Sequence, residues 1–546
     1  MKIALAQQNY VIGDFEGNAA KISAAIAEGR SRGADLVVFS ELCVCGYPPQ
    51  DMLEYRSFVG HCEQTVHRIA QDTRGIAALI GAPSVNPQPE GKDLFNSAYL
   101  LHDGQVAAVR HKSLLPNYDV FDEYRYFEPN SDFQTVRIGS RQAAVTICED
   151  IWNVGSNPLY RISPLDHLER FDPGFLINSS ASPFDVQKAG ERIRLVEDIA
   201  RRHNLPVFYC NCVGAQTELI FDGGSLVAAP GGFIVDEFAY FTEDLRLYDL
   251  DEVATYSGPS MVKERMPEAL LYDALVFGLK EYFQKMQLSS AVIGLSGGID
   301  SAVVACLAAD ALGAPSVHAL LLPSPFTSPQ SVTDAIELAR RLGIRHEVIP
   351  ISGLYEQAVA LMQPYFGKKP FDITEENLQS RLRCLLLMAY ANKHGLVLLN
   401  SSNKSELATG YGTLYGDLTG GLSVLGDVYK TQVYRLAHWI NRQGERIPEA
   451  ILKKPPSAEL RPGQLDSDSL PPYDALDAVL FEHIERRKGR QELVALGYEA
   501  SLVDRVLHLV SSSEFKRRQA PPVLRVSSKA FGPGRRMPLV ARYHLL

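Results

Sequence analysis

Short runs rich in β-branched and apolar residues alternate, through the first half of the chain, with longer stretches whose apolar residues recur every three to four positions. The runs 2–7 (KIALAQ), 35–41 (DLVVFSE), 77–82 (AALIGA), 143–148 (AAVTIC), 173–178 (PGFLIN) and 206–211 (PVFYCN) predict strands. The stretches 17–32, 56–74 and 187–203 predict amphipathic helices. A hairpin is expected within 222–249, where DGGSLVAAPGGFIVDE supplies two apolar runs around a Pro-Gly-Gly turn. Helices between buried strands indicate a layered α/β unit.

The pattern fades over 250–270, which carries Gly258, Pro259 and Pro267. Two domains are expected, 1–250 and 270–546, joined by a linker at 251–269. After a helix at 268–287, strands at 290–296, 317–323, 346–350 and 396–402 alternate with helices at 300–313, 329–342 and 376–394. Strand–helix alternation of this kind predicts a parallel, doubly wound sheet.

Composition narrows the possibilities. The 546 residues exceed one ordinary core. The net charge of −10 gives no global basic surface for nucleic acid. No apolar run approaches the ~18 residues needed to span a bilayer, and the polar N-terminus lacks the pattern of a signal peptide. Eight cysteines in so long a chain do not form a disulfide scaffold, and a cytoplasmic location is expected. The pairs Cys43/Cys45 and Cys210/Cys212 sit at the ends of apolar runs with a spacing unlike C-x₂₋₄-C. They read as packed thiols rather than half of a zinc site.

The densest chemistry lies in VIGLSGGIDSA, 292–302. A strand runs into Ser296-Gly297-Gly298, and a helix follows from about Asp300. Glycines allow a ligand to approach the backbone, and a helix N-terminus offers free N–H groups and a positive dipole end. This is a phosphate cradle. It lacks the Gly-Lys-[Ser/Thr] of a Walker loop. With an aspartate at the helix start, it suits pyrophosphate and a metal while chemistry occurs at the α-phosphate. A second cluster is spread over the first half: Glu41 in FSELCVCGYPPQD, Lys112 in RHKSLLPNYDVFDEYRYF and Cys148 in TICEDIW. Residues at strand ends can meet at one edge of a sheet. A thiol nucleophile, a carboxylate base and a lysine that favours the thiolate and the oxyanion form a coherent acyl-transfer set. Adjacent Glu149 and Asp150 disfavour a thiolate, but neighbours on a strand point to opposite faces.

The S-G-G-x-D-S loop resembles that of the ATP-pyrophosphatase ligases. Together with ENLQSRLRCLLLMAYAN (376–392), NSSNKSELATGYGTLYGD (400–417), LGDVYKTQVYRLA (425–437), KKPPSAEL (453–460), DSDSLPPYDALD (466–477) and the segment at 514–536, it resembles the synthetase domain of the NAD synthetase family over 270–546. The Glu–Lys–Cys order resembles the nitrilase, or carbon–nitrogen hydrolase, superfamily over 1–250. The resemblance implies an N-terminal α-β-β-α sandwich and a C-terminal sheet like that of the adenine nucleotide α-hydrolases. It implies catalysis by Glu41, Lys112 and Cys148, with Glu123 as a second family glutamate. Glutamine would be bound by Tyr118, Glu149, Ser182 and Lys188, the last standing where some members carry arginine. ATP would be bound by Gly294, Ser296, Gly297, Gly298, Asp300, Ser301 and Lys430, with Mg²⁺ on Asp300 and Glu406. Position 401, a serine in this chain (Ser401), is given no part in binding ATP. Deamido-NAD would be bound by Asn377, Arg381, Asp417 and Lys516.

The implied activity is a glutamine-driven amidation of deamido-NAD that forms AMP, with ammonia carried through an internal tunnel. At least a dimer is implied, because the family completes its dinucleotide site from two chains. Phe515–Leu546 holds eight Lys/Arg and no Asp/Glu, and is expected to be a substrate-covering lid rather than a nucleic-acid arm. Asp150 has no role in this reading. The rivals are another AMP-forming amidotransferase, whose glutaminase would carry a Cys-His-Glu triad, and a nucleotide-sensing scaffold without catalysis. No histidine accompanies Cys148 in its motif, and Glu41, Lys112, Cys148 and Asp300 are all intact.

Overall fold

The alternation in KIALAQ becomes two packed faces. In a computed structural model, described over residues 1–154 and 158–541, the chain forms two units, Met1–Arg265 and Met266–Leu546. In the first unit, strands β1 (Lys2–Gln7), β2 (Leu36–Val38), β3 (Ala77–Val85), β4 (Leu94–His102) and β5 (Gln105–His111) are followed by β6 (Val136–Ile138), β7 (Arg141–Ile147), β8 (Phe175–Ser180) and β9 (Val207–Asn211). A small hairpin, β10 (Val213–Gln216) and β11 (Leu219–Asp222), precedes β12 (Leu226–Ala228), β13 (Ile234–Glu237) and β14 (Asp244–Asp249). Two six-stranded sheets result, in the orders β14-β1-β2-β3-β4-β5 and β13-β12-β9-β8-β7-β6.

The sheets face each other. Ile3, Leu5, Val38, Leu79 and Leu100 of one meet Val145, Ile147, Ile177 and Phe208 of the other. On the outer face of the first sheet, Ala4, Ala6, Val37 and Ile80 pack on helices α1 (Phe15–Ser31) and α2 (Arg56–Ala70). On the outer face of the second, Leu176, Val207 and Tyr209 pack on α3 (Pro164–Leu168) and α4 (Lys188–His203). This is an α-β-β-α sandwich in which the two-residue period sorts each strand between the sheet interface and a helix layer. The expected hairpin is β12–β13, but β14 leaves it to pair antiparallel with β1 in the other sheet. The residues expected as linker belong to the first unit through Arg265. Residues 250–255 form α5 (Leu250–Thr255), and Lys263 N and Arg265 Nη1 donate to Glu237 at 2.9 and 2.7 Å.

The second unit begins at α6 (Pro267–Lys285). It continues through β15 (Ala291–Gly294), α7 (Ile299–Leu312), β16 (Val317–Leu321), α8 (Pro329–Leu342), β17 (Arg345–Val348), α9 (Ser352–Phe366), α10 (Ile373–His394), β18 (Val397–Asn400), α11 (Lys404–Thr409) and β19 (Leu422–Ser423). Six more helices follow: α12 (Lys430–Asn441), α13 (Glu449–Lys453), α14 (Tyr473–Ile484), α15 (Arg490–Ala495), α16 (Ala500–Ser512) and α17 (Glu514–Arg517). The five strands are parallel, in the order β17-β16-β15-β18-β19. The chain order reverses between β15 and β18, and such a reversal opens a ligand crevice at the strands' carboxyl ends. α7 is apolar nearly all round, with 302–308 entirely buried, as a helix enclosed by its unit must be.

Within the second unit, the described part of the basic C-terminal segment is bonded to the helices and loops around it. Val526 N and Ser527 N donate to Asp427 at 2.8 and 2.7 Å, and the buried Lys404 ammonium joins Asp427, Glu485 and the Lys529 carbonyl. Arg517 and Arg535 both pair with Glu514. Among the described residues, no helix is long and apolar enough to cross a membrane.

Candidate active sites

β2 ends three residues before Glu41, earlier than the strand expected over 35–41, and the chain turns sharply with Leu42 at φ 47°. Gly81 on β3 allows that turn to lie against the sheet: a Cβ there would meet Leu42 N at 2.3 Å. The turn buries the Glu41 carboxylate. Its Oε1 accepts from Lys112 Nζ and Asn96 Nδ2, each at 2.7 Å, and its Oε2 accepts from Ala181 N at 3.1 Å. Lys112 directly follows β5, is fully buried, and also donates to Glu123 Oε1 and Oε2 at 2.7 and 2.8 Å. Tyr47 OH holds Glu123 from the far side at 2.8 Å. Burial opposes the ammonium charge, but Glu123 and Glu41 outweigh it and hold the Lys112 pKa well above the ordinary lysine value.

Cys148 stands at the end of β7 with φ 43°, a left-handed conformation that costs a non-glycine residue about 1–3 kcal/mol. Burial pushes its thiol well up, Glu41 adds to that, and Lys112 works against it. The expected opposite-face arrangement of Cys148 and Glu149 does not occur, because Cys148–Ile151 form a 3₁₀ turn, not a strand. Glu149 instead accepts from Tyr118 OH at 2.8 Å and from Tyr160 OH at 3.2 Å. Burial pushes its carboxyl up, with the two tyrosines, Lys112 and Lys188 pulling it down. Lys188 Nζ lies 3.7 Å from the centre of the Trp152 ring. Ser182 N donates to Asn211 Oδ1 at 2.9 Å, one residue after the amide that holds Glu41.

Tyr118 and Glu149 are thus joined close to the thiol, Lys188 is close enough to act on Glu149, and Ser182 follows the amide that holds Glu41. Asn96, Tyr47 and Tyr160 complete the cluster and carried no expectation. Asp150 accepts from three backbone N–H groups. Cys43, Cys45, Cys210 and Cys212 are buried, and none is in a disulfide. Cys210 Sγ is 3.4 Å from the carbonyls of Ala6 and Val38.

The second site lies at the reversal of the parallel sheet. β15 delivers the chain into Leu295–Gly298, and α7 starts at once. Gly297 has φ +77°, and a Cβ there would meet the Ser331 carbonyl at 2.3 Å, so the loop cannot take this path with a side chain. Ser296 and Ser301 hydroxyls lie 3.0 Å apart, and Gly298 N donates to Ser296 Oγ at 3.2 Å. Asp300 accepts from Lys430 Nζ and, at 3.0 Å, from Asn403 Nδ2. Asn403 and Glu406 cap α11 reciprocally, Asn403 N donating to Glu406 Oε2 at 3.1 Å. Burial raises the Glu406 carboxyl well above the usual range, and Asp300 adds to this while Lys430 lowers it. Asp466, held by Tyr473 OH at 2.9 Å, adds a third carboxylate to the field around Lys430.

Gly294, Ser296, Gly298, Asp300, Ser301, Glu406, Asp417 and Lys430 line one cavity of about 290 Å³. Ser401, which had no expected part here, lines it too, because β18 ends at Asn400 and delivers the next residue to the carboxyl edge of the sheet. Asn377, Arg381 and Lys516 lie outside the lining, but all bond to the adjoining loop 410–417. Thr413 Oγ1 donates to Asn377 Oδ1 at 2.8 Å, Arg381 Nε donates to the Leu414 carbonyl at 3.2 Å, and Lys516 Nζ donates to the Gly410 and Gly412 carbonyls at 2.7 Å each. Arg383 and Lys454 line the cavity and carried no expectation.

The carbon-nitrogen hydrolase family model matches residues 2–257, and the NAD synthase family model matches 271–520. Over 99% of both chains, the sequence is 45% identical to the glutamine-dependent NAD(+) synthetase of Synechocystis sp.. It is 39% identical to that of Thermotoga maritima, over 100% of this chain and 99% of the relative. The solved structure of glutamine-dependent NAD+ synthetase from Acinetobacter baumannii in complex with ADP is 36% identical and superposes with a TM-score of 0.77, covering 99% of this chain and 98% of that one. The chain belongs to the glutamine-dependent NAD(+) synthetases, which join a carbon–nitrogen hydrolase domain and an NAD synthase domain in one polypeptide.

Proposed function

We propose a residue-level division of labour for the amidation of deamido-NAD to NAD. The observation that carries it is the burial of Glu41 and Lys112 in direct contact, with both charges acting on the Cys148 thiol. Cys148 attacks the amide carbon of glutamine while Glu41 takes its proton. Lys112 stabilises the thiolate and the oxyanion. The C–N bond breaks, ammonia leaves with that proton, and water hydrolyses the thioester to glutamate and the free thiol. Glu149, between Tyr118 and Tyr160 and close enough to feel Lys188, is the anionic partner for the substrate's ammonium group. Lys188 and Ser182 are assigned to the same substrate.

In the second unit the nicotinate carboxylate attacks the α-phosphate of ATP, pyrophosphate leaves, and ammonia displaces AMP. The cradle from Ser296 to Ser301 holds the phosphates. Lys430 exchanges its present partner, Asp300, for phosphate oxygens. The donor set fits Mg²⁺: Asp300 and Glu406 would supply carboxylate oxygens, and burial, with Asp300's negative charge added to it, raises the proton affinity of Glu406. When bound, Mg²⁺ would neutralise charge on the departing pyrophosphate. Asn377, Arg381, Asp417 and Lys516 form the dinucleotide side through the loop 410–417.

We assign at least a dimer. Leu361, Tyr365 and Ile373 are 73%, 81% and 68% exposed on α9 and α10, an apolar face that a second copy would cover, and Arg381 is exposed on α10 beside Leu385. Eight buried cysteines, none in a disulfide, suit a reducing, cytoplasmic setting. The test is AMP release from ATP. It should require deamido-NAD together with glutamine or ammonia, and formation of ADP or release without deamido-NAD would refute the scheme.

A further inference from the structure

Asp150 lies two residues beyond the thiol, is buried, and makes no bond to Glu41, Lys112 or Glu123 among the described contacts. Both of its oxygens are instead used on the backbone. Oδ1 accepts from Ser113 N at 2.9 Å and from Leu114 N at 2.8 Å, while Oδ2 accepts from Ile147 N at 2.9 Å. Ser113 and Leu114 directly follow Lys112. Ile147 directly precedes Cys148. β5 and β7 belong to different sheets, so no strand ladder fixes these two points relative to each other.

We propose that Asp150 is a positioning residue that clamps the Lys112 segment to the Cys148 turn and so sets the distance between ammonium and sulfur. This rests on the assignment of Cys148 as nucleophile. Three N–H donors from two segments converge on one carboxylate, and charge-assisted bonds of this kind are about twice as strong as neutral ones. The same bonds stabilise the left-handed Cys148 backbone, since Ile147 N and Asp150 close the turn around it. Burial raises the Asp150 carboxyl to about 7, while these N–H groups and Lys112 pull it down. Only an acceptor at both oxygens satisfies all three donors. An amide replaces one acceptor with a donor and sets it against an N–H.

The experiment uses the full chain and its Asp150→Asn, Asp150→Glu and Cys148→Ala variants, with glutamine-driven and ammonia-driven NAD synthesis measured in each. Asp150→Asn should lower kcat with glutamine about 100-fold. KM for glutamine should stay within about threefold, because the substrate-binding groups are untouched, and ammonia-driven synthesis should stay within about twofold. Asp150→Glu, which restores the charge, should recover part of kcat. Three results would overturn the clamp: Asp150→Asn retaining kcat, a loss confined to KM, or a parallel loss of ammonia-driven synthesis, which would make Asp150 a residue of the whole fold. Cys148→Ala separates the two levels. If it keeps glutamine-driven synthesis, the nucleophile assignment fails; if it loses it while Asp150→Asn does not, only the clamp fails.

Discussion

In the first unit one lysine lies buried between two carboxylates, with every donor of its ammonium placed on an oxygen 2.7–2.8 Å away. In the second unit Lys430 also meets carboxylates, but at the wall of an open cavity, and Asp300, Glu406 and Asp466 outnumber it. The chemistry explains the difference. Glutamine hydrolysis brings no metal, so the protein must supply a finished, water-excluded electrostatic site. In the scheme proposed above, ATP would bring polyanionic charge and a cation, to which the protein offers a cradle and a surplus of carboxylates. One site is complete before its substrate arrives, and the other is completed by it.

The comparison is most exposed to failure at Lys112. Lys112→Met should reduce glutamine-driven synthesis roughly 10³-fold and leave the ammonia-driven rate near wild type. It should also cost about 3–5 kcal/mol in denaturant unfolding of the first unit, since Glu41 and Glu123 lose their shared counter-charge. If stability is unchanged, the buried site is wetter than its hydrogen bonds imply. Asp300→Asn is the counterpart in the second unit. A loss of about 100-fold or more is expected with both nitrogen sources, while glutamate release from glutamine persists. A third variant, Gly297→Ala, tests the cradle's geometry. At φ +77° and 2.3 Å from a carbonyl, the added Cβ imposes about 1–3 kcal/mol of strain. It should be read as roughly tenfold weaker ATP use, with glutaminase unaffected.

A pH profile sharpens the contrast further. Because burial and Glu41 raise the Cys148 thiol well above its usual range, the thiolate is a small and growing fraction as pH rises. Iodoacetamide labelling of Cys148, counted against the Cys148→Ala variant, should climb roughly tenfold per pH unit from about 7 to about 9 without a plateau. A plateau near neutral pH would mean a preformed thiolate, with Lys112 rather than Glu41 dominating the sulfur.

A layered α/β first unit and the doubly wound sheet are legible because strands such as β1, β7, β8 and β15 carry local apolar patterns that need no partner to be read, whereas the two-sheet sandwich is implied only by the family resemblance. The strands β4 and β5 and the helix α9 do not emerge from the pattern, and the expected linker belongs largely to the first unit. Residues 250–265 look unpatterned only until Glu237 and Ile234 are brought to them. Glu41, Lys112 and Cys148 came from strings of neighbours, not from periodicity. Their organisers did not. Asn96, Asp150 and Asp466 act through bonds to segments far along the chain, and an asparagine inside a strand or an aspartate after a cysteine carries no local sign of such a partner. The side chain of Glu149 departs from expectation for a related reason: β7 ends one residue earlier than its apolar run suggests, and a turn replaces the alternation of a strand.

The most direct measurement is NAD formation by Cys148→Ala with each nitrogen source. The account predicts that synthesis from glutamine disappears while synthesis from ammonia continues at the wild-type rate. Loss of both activities together, or survival of the glutamine-driven one, would contradict it.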